Sequence, residues 1–429
     1  MMRFALTAAL FTVASCATTP SPMPDSLPAQ TSSPAVHRPP ADFTPNLGRG
    51  IRTADSLIAA SVGKLYPGAV FLVSRYGMLV QDTAFGHAQL NDDEGHRLAS
   101  PPPMTRETMF DLASVTKVMG TTMGIMRLVD QGRVDLDAPV YRYLPDFRDV
   151  HKDSITLRNL LSHSAGLVQW QPLYYHASNE REAYRVIRDM PLQWGVGEGR
   201  HYSDLSFMLL GYIAERVSGQ RLDVFLDSAI YKPLGLDSIT FVPKQHGFTK
   251  FAATELGNVY ERHMVYDSTF GYRYLGDPTA WNGWRTHVLI GEVDDGNSYY
   301  AHGGIAGHAG LFATVGQLRL LMDMLETGGM ARGNRRVLSA DVIHHFLTRD
   351  RYGNYLGWMR SPSLPEGSFY HTGFTGTYVL GVPKYGLCVI LLTNRQNMGT
   401  DARGYFPNLA PLQEAVAKAL ITGAEADSH

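Results

Sequence analysis

The sequence is poor in cysteine, in excess charge of one sign and in long apolar runs. Its 429 residues include only two cysteines, Cys16 and Cys388, and we expect no structural disulfide even in an oxidising compartment. Cys388 lies in the apolar run 387–393, which predicts a small buried side chain. No uninterrupted apolar run reaches the length that spans a membrane. Lys and Arg total 38 against 40 for Asp and Glu, and no basic stripe follows a helix or strand face, so nucleic-acid binding is not predicted.

Two signatures of well-known hydrolase mechanisms are also missing. The sequence has no Gly-x-Ser-x-Gly, the nucleophile elbow of α/β-hydrolases. It has no His-Glu-x-x-His, and His302 and His308 lie in a glycine-rich stretch without a nearby carboxylate pattern. Neither a metal nor another cofactor is therefore predicted.

The N-terminus has the composition of a targeting segment. Arg3 precedes the short apolar run Phe4–Ala14, and Val13-Ala14-Ser15-Cys16 resembles the lipobox of bacterial lipoproteins. We predict a lipoprotein-type signal peptide over residues 1–16, with lipidation of Cys16; an ordinary cleaved signal peptide is the alternative. Ala17 in place of Asp resembles an outer-membrane sorting signal. The protein is therefore expected to be exported and anchored to the membrane, facing the periplasm.

Beyond this segment, two strand pairs frame a helical middle. Residues 17–47 contain eight prolines and predict a disordered tether, whereas residues 48–422 predict one domain, followed by a flexible tail at 423–429. Strands at both chain ends predict an α/β (α+β) fold, in which one antiparallel sheet formed from the two ends is flanked by helices and carries an inserted, mainly helical lobe. The predicted strands are Ala69–Arg75, Met78–Phe85, Gly376–Val382 and Leu387–Thr393, and the predicted helices include Ala54–Lys64, Val115–Gln131, Leu205–Ser218, Val315–Glu326 and Ala410–Ile421.

Ser114 and Lys117 form the first candidate catalytic pair. From Ser114 to Met126 the only charged residue is Lys117, which predicts a helix buried on nearly all sides. The lysine shares a helix face with the serine, and burial is expected to lower its pKa, so that a neutral amine activates the hydroxyl. The alternative is an N-cap serine with a lysine that extends to solvent. A second Ser-x-x-Lys, at Ser61 and Lys64, lies at a predicted helix end and is expected to be solvated.

Two further segments carry candidate catalytic groups. Tyr202-Ser203-Asp204 precedes an apolar helix, and the phenol of Tyr202 can share a proton with Lys117 as general base and acid; a structural helix start is the alternative. His371-Thr372-Gly373-Phe374 leads into the final hairpin. Gly373 permits close approach of another backbone, Phe374 offers an N–H to an oxyanion, and His371 is expected to titrate near neutrality. A glycine-rich bend with a solvated histidine is the alternative.

Together, the three segments resemble the serine β-lactamases and penicillin-binding proteins, whose marks are Ser-x-x-Lys, Ser-Asp-Asn and Lys-Thr-Gly. The tyrosine in the second segment and the spacings resemble the class C branch. His-Thr-Gly is similar to some DD-carboxypeptidases, of the penicillin-binding protein 4B type. The resemblance spans about residues 50–420 and is reinforced by Phe110–Ser114, Leu160–Leu167 and Gly303–Phe312.

This resemblance implies a β-lactamase/transpeptidase-like fold and hydrolysis through an acyl-enzyme on Ser114. The implied substrate is a small peptide, an ester or a β-lactam, and a DD-carboxypeptidase-like or β-lactamase-related activity is expected. An esterase on the same scaffold and a penicillin-binding sensor without turnover are the alternatives, and the oligomeric state is not predicted. The implied catalytic residues are Ser114, Lys117, Tyr202 and His371, and the implied substrate or oxyanion contacts are Asp204, Thr372, Gly373 and Phe374.

Two positions depart from the family pattern. Asp204 stands where the family usually has Asn, and an ionised carboxylate only accepts hydrogen bonds. Asp204 would either pair with Lys117 and raise its pKa or bind a substrate amine. His371 replaces a lysine and carries less positive charge at pH 7. Both departures favour the broader class, serine hydrolase, over β-lactamase.

Overall fold

A five-stranded antiparallel sheet is assembled from both ends of the chain. The computed structural model describes residues 45–148, 152–331 and 335–428. The strand order is β2-β1-β10-β9-β8, where β1 is Gly68–Arg75, β2 is Met78–Gly86, β8 is Phe369–Thr372, β9 is Thr377–Val382 and β10 is Leu387–Thr393. The central pair joins residues more than 300 positions apart, such as Phe71 and Leu391. The predicted sheet is thus confirmed, and its four predicted strands differ from the observed ones by at most one residue at an end.

The two faces of this sheet are covered by different layers. Val70 and Leu72 of β1 belong to the larger core, which the sheet shares with the helical part of the chain, whereas Phe71 and Val73 pack with α1 and α11, the first and last helices of the described chain (bounds below). Side chains alternate between the faces of a strand, so a strand with both faces covered reads as a continuous apolar run. Cys388 in β10 is fully buried in the larger core, as predicted.

The middle of the chain is mainly helical and carries two small sheets. The described helices are α1 (Pro45–Ser61), α2 (Met123–Asp130), α3 (Leu157–Leu161), α4 (Glu180–Asp189), α5 (Asp204–Ser218), α6 (Leu222–Leu226), α7 (Lys232–Leu234), α8 (Val259–Tyr266), α9 (Val315–Glu326), α10 (Ala340–Phe346) and α11 (Ala410–Ala426). The remaining strands are β3 (Phe110–Asp111), β4 (Ile239–Phe241), β5 (Ala253–Leu256), β6 (Val288–Ile290) and β7 (Leu311–Ala313), in sheets β3-β7-β4 and β5-β6. Across the described ranges, no helix combines the length and the apolarity needed to cross a membrane.

Both ends of the domain extend beyond the boundaries predicted from the sequence. Helix α1 begins at Pro45 rather than Ala54, and α11 continues to Ala426. The carboxylate of Asp427 accepts hydrogen bonds from the N–H groups of Asn46 (3.1 Å) and Leu47 (2.8 Å), so Asp427 caps helix α1. A Cβ on Gly423 would lie 2.6 Å from the carbonyl oxygen of Asn46, which shows how closely the two helices approach. Residues 423–428 are therefore part of the domain, and the flexible tail predicted from 423 is corrected.

The segment after Ser114 is buried, but it is not one regular α-helix. A 3-10 turn over Ala113–Val115 is followed by a π-helical stretch over Lys117–Thr122 and then by α2. All six residues of the π-helical stretch are buried, including Lys117. The predicted helix Val115–Gln131 therefore exists as a buried segment whose first turns are irregular. Such irregular turns recur at functional sites.

Candidate active site

Ser114 follows a strained residue that is held in place by a buried carboxylate. Ala113 has φ 44°, in the left-handed region that costs a residue with a side chain on the order of 1–2 kcal/mol. Its N–H donates to Oδ1 of Asp111 (2.9 Å), and Oδ2 of Asp111 accepts from the N–H of Asp294 (2.6 Å). Burial and the neighbouring Asp294 raise the pKa of Asp111 to about 7. Asp111 thus fixes the backbone immediately before the serine.

Lys117 lies at the centre of the site and has no exposed surface. Its Nζ donates to Oγ of Ser114 (2.9 Å) and to the carbonyl oxygen of His308 (3.0 Å). The same atom lies 2.7 Å from Oδ1 of Asp204. Burial acts to lower the pKa of Lys117, but the charge of Asp204 and then Tyr202 outweigh it, so the pKa is raised. The lowered pKa predicted for Lys117 is therefore wrong, and the pairing with Asp204 is the alternative that the structure shows.

Tyr202 packs between two imidazoles and faces the lysine. Its ring centroid lies 5.1 Å from Nζ of Lys117, 4.5 Å from the ring of His163 and 6.3 Å from that of His371. Burial raises the pKa of Tyr202, while the charge of Lys117 and hydrogen bonds with Ser114 and Lys117 oppose the rise. The phenol, the ammonium group and the serine hydroxyl therefore form one contact group.

Helix α5 explains why Asp204 reaches this group. Ser203 caps the helix, because its hydroxyl accepts from the N–H of Ser206 (3.3 Å) and donates to the carbonyl oxygen of Val168 (2.7 Å). Asp204 is then the first helical residue, where a carboxylate is stabilised by the helix dipole. From Leu205 to Ala214 every residue of α5 is buried, so the helix start is held rigidly against the lysine.

His371 does not behave as predicted. Its side chain is 1% exposed, and Nδ1 lies 2.8 Å from the carbonyl oxygen of Thr372. Burial, followed by the positive charge of Lys117, lowers its pKa to about 3, so the imidazole is neutral at pH 7. The expectation that His371 titrates near neutrality is corrected, because the side chain points into the protein instead of into the cavity beside Ser114.

The turn between β8 and β9 is bonded directly to the segment before Ser114. Thr375 donates its hydroxyl to the carbonyl oxygen of Asp111 (2.7 Å), and Thr377 donates to that of Leu112 (3.0 Å). A Cβ on Gly373 would lie 2.4 Å from the carbonyl oxygen of Leu112 and 2.1 Å from Oγ1 of Thr377. Gly373 is therefore required by the close approach of another backbone, as the sequence suggests.

These elements enclose a cavity of about 340 Å³. Ser114 and Tyr202 lie on one side of it, and the turn after β8 and the start of α11 lie on the other. Three other depressions, of about 450, 530 and 880 Å³, are lined by neither Ser114 nor Tyr202. The lining residues of the smaller cavity are Ser114, Tyr202, Met359, Thr372, Gly373, Phe374, Gly376, Arg395, Asn408, Leu409, Ala410 and Gln413.

A protein-family model described as Beta-lactamase matches residues 54–413. The chain belongs to the beta-lactamase family. A Bacillus subtilis (strain 168) relative named N-acetylmuramyl-L-alanine amidase is 31% identical over 375 residues, 81% of each chain. An Escherichia coli (strain K12) relative named putative D-alanyl-D-alanine carboxypeptidase is 31% identical over 373 residues, 80% of this chain and 81% of that one. Both relatives are named as hydrolases, one as an amidase and the other as a carboxypeptidase.

Solved structures show the same fold. A penicillin-binding protein homologue from Caulobacter crescentus superposes with a TM-score of 0.64 at 20% identity, over 87% of this chain and 97% of that one. The predicted β-lactamase/transpeptidase-like fold and the resemblance to penicillin-binding proteins are thereby confirmed.

Three residues of this site were not predicted from the sequence to belong to it. His308 supplies the carbonyl oxygen that accepts from Lys117, and His163 accepts the N–H of Ser203 at Nδ1 (3.0 Å) beneath the ring of Tyr202. Both histidines lie in segments that reinforce the family resemblance, Leu160–Leu167 and Gly303–Phe312, and that resemblance is the sequence signal that could have identified them. Arg395 lines the cavity and lies two residues beyond the end of β10. A charged residue just after a buried strand is its sequence signal, and it was not used.

The described residues include no group of three or more His, Cys, Asp or Glu side chains placed to hold a metal ion. His308 contacts Asp295 (2.8 Å), and Nε2 of His302 lies 2.7 Å from the hydroxyl of Tyr212. Burial lowers the pKa of His302 to about 4. The recurring histidines of the glycine-rich stretch thus have structural partners.

Proposed function

We propose that this family member is a DD-carboxypeptidase-like hydrolase that removes the last residue of acyl-D-alanyl-D-alanine peptides through an acyl-enzyme on Ser114. The observation that carries the proposal is the contact group at the wall of the cavity, in which Nζ of Lys117 lies 2.9 Å from Oγ of Ser114 and 2.7 Å from Asp204. The relative named putative D-alanyl-D-alanine carboxypeptidase supports the choice of substrate.

Tyr202, rather than Lys117, is the general base in this proposal. Asp204 keeps Lys117 protonated, and an ammonium ion cannot accept the serine proton. Burial raises the pKa of Tyr202, and the charge of Lys117 opposes that rise without overcoming it, so the base in this proposal is the small phenolate fraction of Tyr202, which contacts both Ser114 and Lys117. His371 has no part in the proton transfer, because it is buried and neutral.

Acylation then proceeds in two steps, in which a bond from Oγ of Ser114 to the carbonyl carbon forms and the C–N bond of the substrate breaks. Oγ of Ser114 attacks the carbonyl carbon and its proton passes to the phenolate of Tyr202, while the N–H groups of Ser114 and Phe374 hold the oxyanion. Tyr202 returns the proton to the leaving amine as the C–N bond breaks. For deacylation, a water molecule gives its proton to Tyr202 and attacks the ester, and Ser114 leaves with that proton.

The proposal is tested by mass spectrometry of the intact protein and by product analysis. Wild-type protein is treated with a fluorophosphonate, a penicillin or a diacetyl-lysyl-D-alanyl-D-alanine peptide, and the Ser114→Ala variant is treated in parallel. We expect one phosphonate adduct and release of D-alanine, both lost in Ser114→Ala. Ser61→Ala is the matched control, since Ser61 also precedes a lysine by three residues but donates its hydroxyl to the carbonyl oxygen of Leu57 at 2.8 Å. Labelling that survives Ser114→Ala would show that another residue is the nucleophile.

A second candidate is cleavage of the amide between a muramyl group and L-alanine, favoured by the relative named N-acetylmuramyl-L-alanine amidase. The same protein incubated with a muramyl peptide decides between the two. Release of the whole peptide from the muramyl group would favour the amidase, and release of terminal D-alanine alone would favour the carboxypeptidase. A penicillin adduct that persists without turnover of either substrate would favour a sensor.

We further propose that the protein is exported and anchored by a lipid on Cys16, facing the periplasm. The support is the sequence Val13-Ala14-Ser15-Cys16; Cys16 and the predicted tether to residue 44 lie outside the described residues. Metabolic labelling with a fatty acid tests this proposal. Incorporation that is lost in Cys16→Ser is expected, and equal labelling of both forms would contradict it.

A further inference from the structure

The hairpin formed by β1 and β2 ends in three exposed apolar side chains. Tyr76, Met78 and Leu79, called the hairpin tip below, are 38%, 46% and 46% exposed. Tyr76 and Gly77 form a two-residue turn in which both φ angles are positive (51° and 75°), the pattern of a type I′ turn, which prefers asparagine and glycine. A tyrosine at the first position is strained. The chain therefore keeps an exposed aromatic ring where a smaller polar residue would be more stable.

The hairpin tip lies against the turn between β9 and β10. The N–H of Tyr76 donates to the carbonyl oxygen of Gly386 (2.6 Å), and a Cβ on Gly386 would overlap the ring of Tyr76. Lys384 in the same turn is exposed, and its Nζ lies 5.0 Å from the ring centroid of Tyr385. The two turns thus form one end of the main sheet and present aromatic, aliphatic and cationic side chains at its surface.

The first helix begins beside the hairpin tip. The guanidinium of Arg75 lies 5.4 Å from the ring centroid of Tyr76, and its Nη1 lies 3.7 Å from Oδ2 of Asp427. The carboxylate of Asp427 in turn accepts from the N–H groups of Asn46 and Leu47 at the start of α1. The chain therefore enters the described structure at the same end of the sheet as the hairpin tip.

The cavity beside Ser114 lies at the opposite end of the same elements. Gly376, which precedes β9, lines the cavity, whereas β9 ends at Val382 before the β9–β10 turn. Helix α11 likewise begins at the cavity with Ala410 and ends beside Asp427. A six-residue strand spans about 20 Å and a 17-residue helix about 25 Å. The hairpin tip and the cavity are therefore separated by about the length of these elements.

We propose that the hairpin tip contacts a phospholipid bilayer and holds the domain with its cavity turned away from the membrane. The inference goes beyond the proposed hydrolysis and rests on the proposed export and anchoring, which keep the tip near a bilayer. Residues 17–44 separate Cys16 from α1, and a chain of that length reaches at most about 100 Å. Within such a distance, a tethered domain meets the surface at an effective concentration on the order of a millimolar. A weak contact is then enough to orient it.

The composition of this end of the sheet favours a bilayer over another protein. Tyrosine rings concentrate at the interface between headgroups and acyl chains, and shallow insertion buries aliphatic side chains beside them. Lys384 and Arg49, in the first turn of α1, are exposed and match anionic headgroups. The carboxylates of Glu425 and Asp427 at this end have partners within the protein. Three side chains on one turn suit shallow insertion, whereas a stable protein interface needs a far larger area.

An environment-sensitive fluorophore on the hairpin tip tests this inference. The chain from residue 17 has Cys388 as its only cysteine, and Cys388 is fully buried, so a cysteine in Leu79→Cys is labelled selectively. An N-terminal histidine tag holds the labelled protein on vesicles of phosphatidylethanolamine, phosphatidylglycerol and a nickel-chelating lipid. We expect a blue shift of the emission, and loss of emission when spin-labelled lipids are included. Because the chelating lipid replaces the natural anchor, the result does not depend on lipidation of Cys16.

Val224→Cys is the matched control. Val224 is also 46% exposed but lies in α6, in the helical part of the chain. Its emission should not change on the vesicles. Equal changes at both positions, or none at position 79, would overturn the inference. A blue shift at position 79 that appears without vesicles and grows with protein concentration would show that a second copy of the chain covers the tip, and it would overturn the inference as well.

A binding measurement without the tag isolates the contribution of the side chains. Co-sedimentation with vesicles of the same two phospholipids should be about tenfold weaker for Met78→Ser/Leu79→Ser than for the wild type, as expected for two partly buried apolar side chains, and unchanged for Val224→Ser. Equal binding of the wild type and the double variant would contradict the inference. Ester hydrolysis by the double variant in solution should be unchanged, because the cavity lies at the other end of the sheet. Tip-dependent binding by a wild-type protein that cleaves no ester would support the membrane contact and count against the proposed function.

Discussion

Nζ of Lys117 and Oδ1 of Asp204 lie 2.7 Å apart and form an ion pair beside the serine hydroxyl. The pair reverses the expectation drawn from burial alone. A desolvated lysine loses its proton readily, but a carboxylate at this distance favours the ammonium form. Lys117 is therefore a fixed positive charge in the resting site, and proton transfer falls to Tyr202.

The first prediction concerns Asp204→Asn. Removing the carboxylate leaves burial as the main influence on Lys117, so its pKa should fall and the phenolate of Tyr202 should lose its counter-charge at a lower pH. The alkaline limb of the kcat/KM profile should move down by about one to three pH units, the usual effect of one adjacent opposite charge. Rates of p-nitrophenyl ester hydrolysis between pH 6 and pH 11 measure the shift. Asp189→Asn, which removes an exposed partner of Arg188, is the control, and superimposable profiles for wild type and Asp204→Asn would refute the assignment.

The strands of the main sheet could be predicted closely from the sequence, but the boundaries of the domain at α1 and α11 could not. The runs that form β1, β2, β9 and β10 show apolar residues and turn signals within a few positions, which is local information. The cap that Asp427 provides to Asn46 and Leu47 joins residues about 380 positions apart. No local pattern contains such a contact, so the proline-rich composition up to residue 47 and the polar tail were read as unstructured.

The sequence predicted which residues form the site, but it did not predict which of them are protonated. The three motifs and the family resemblance they carry pointed to Ser114, Lys117, Tyr202 and Asp204, and the structure brings these residues together. Whether a lysine is neutral or charged depends on the distance to a carboxylate 87 positions later in the chain, which the sequence does not contain. The burial of His371 likewise depends on which face of β8 meets the core.

The second prediction is that Tyr202→Phe loses catalysis while keeping its fold. The phenol is proposed to carry the proton in both half-reactions, and a positioned general base contributes roughly 10²–10⁴-fold. We expect kcat for ester hydrolysis and the rate of fluorophosphonate labelling to fall within that range, with Tm little changed, because the ring still packs against His163. Tyr76→Phe, in the exposed turn between β1 and β2, is the control. A variant with wild-type labelling rate would assign the base to another group.

The third prediction is that Gly373→Ala disturbs the oxyanion contact. The new Cβ would meet the carbonyl oxygen of Leu112 at 2.4 Å, so the turn must move away from Ser114 and take the N–H of Phe374 with it. Loss of one oxyanion donor typically lowers kcat by about 10²–10³-fold. Gly316→Ala in α9 is the matched control, because its Cβ would meet nothing within 4 Å. Steady-state kinetics of both variants check the prediction, and normal kcat in Gly373→Ala would show that the turn yields without moving Phe374.

The last prediction uses the buried imidazole of His371 as a source of acid sensitivity. Its pKa is lowered to about 3 in the folded protein, while the unfolded chain binds a proton near pH 6.5. The folded state therefore binds fewer protons than the unfolded state between these values, so His371 contributes stability that is present above pH 6.5 and is lost as the pH falls. One proton changes the free energy of unfolding by at most about 1.4 kcal/mol per pH unit. Replacing His371 by Gln removes this proton uptake, so the free energy of unfolding should fall less steeply between pH 6.5 and pH 4.5 than in the wild type. Urea titrations across that range provide the slopes, with the exposed His246→Gln as control. Equal slopes in wild type and His371→Gln would mean that the imidazole is protonated in the folded protein, and the neutral site proposed around Lys117 and Tyr202 would have to be revised.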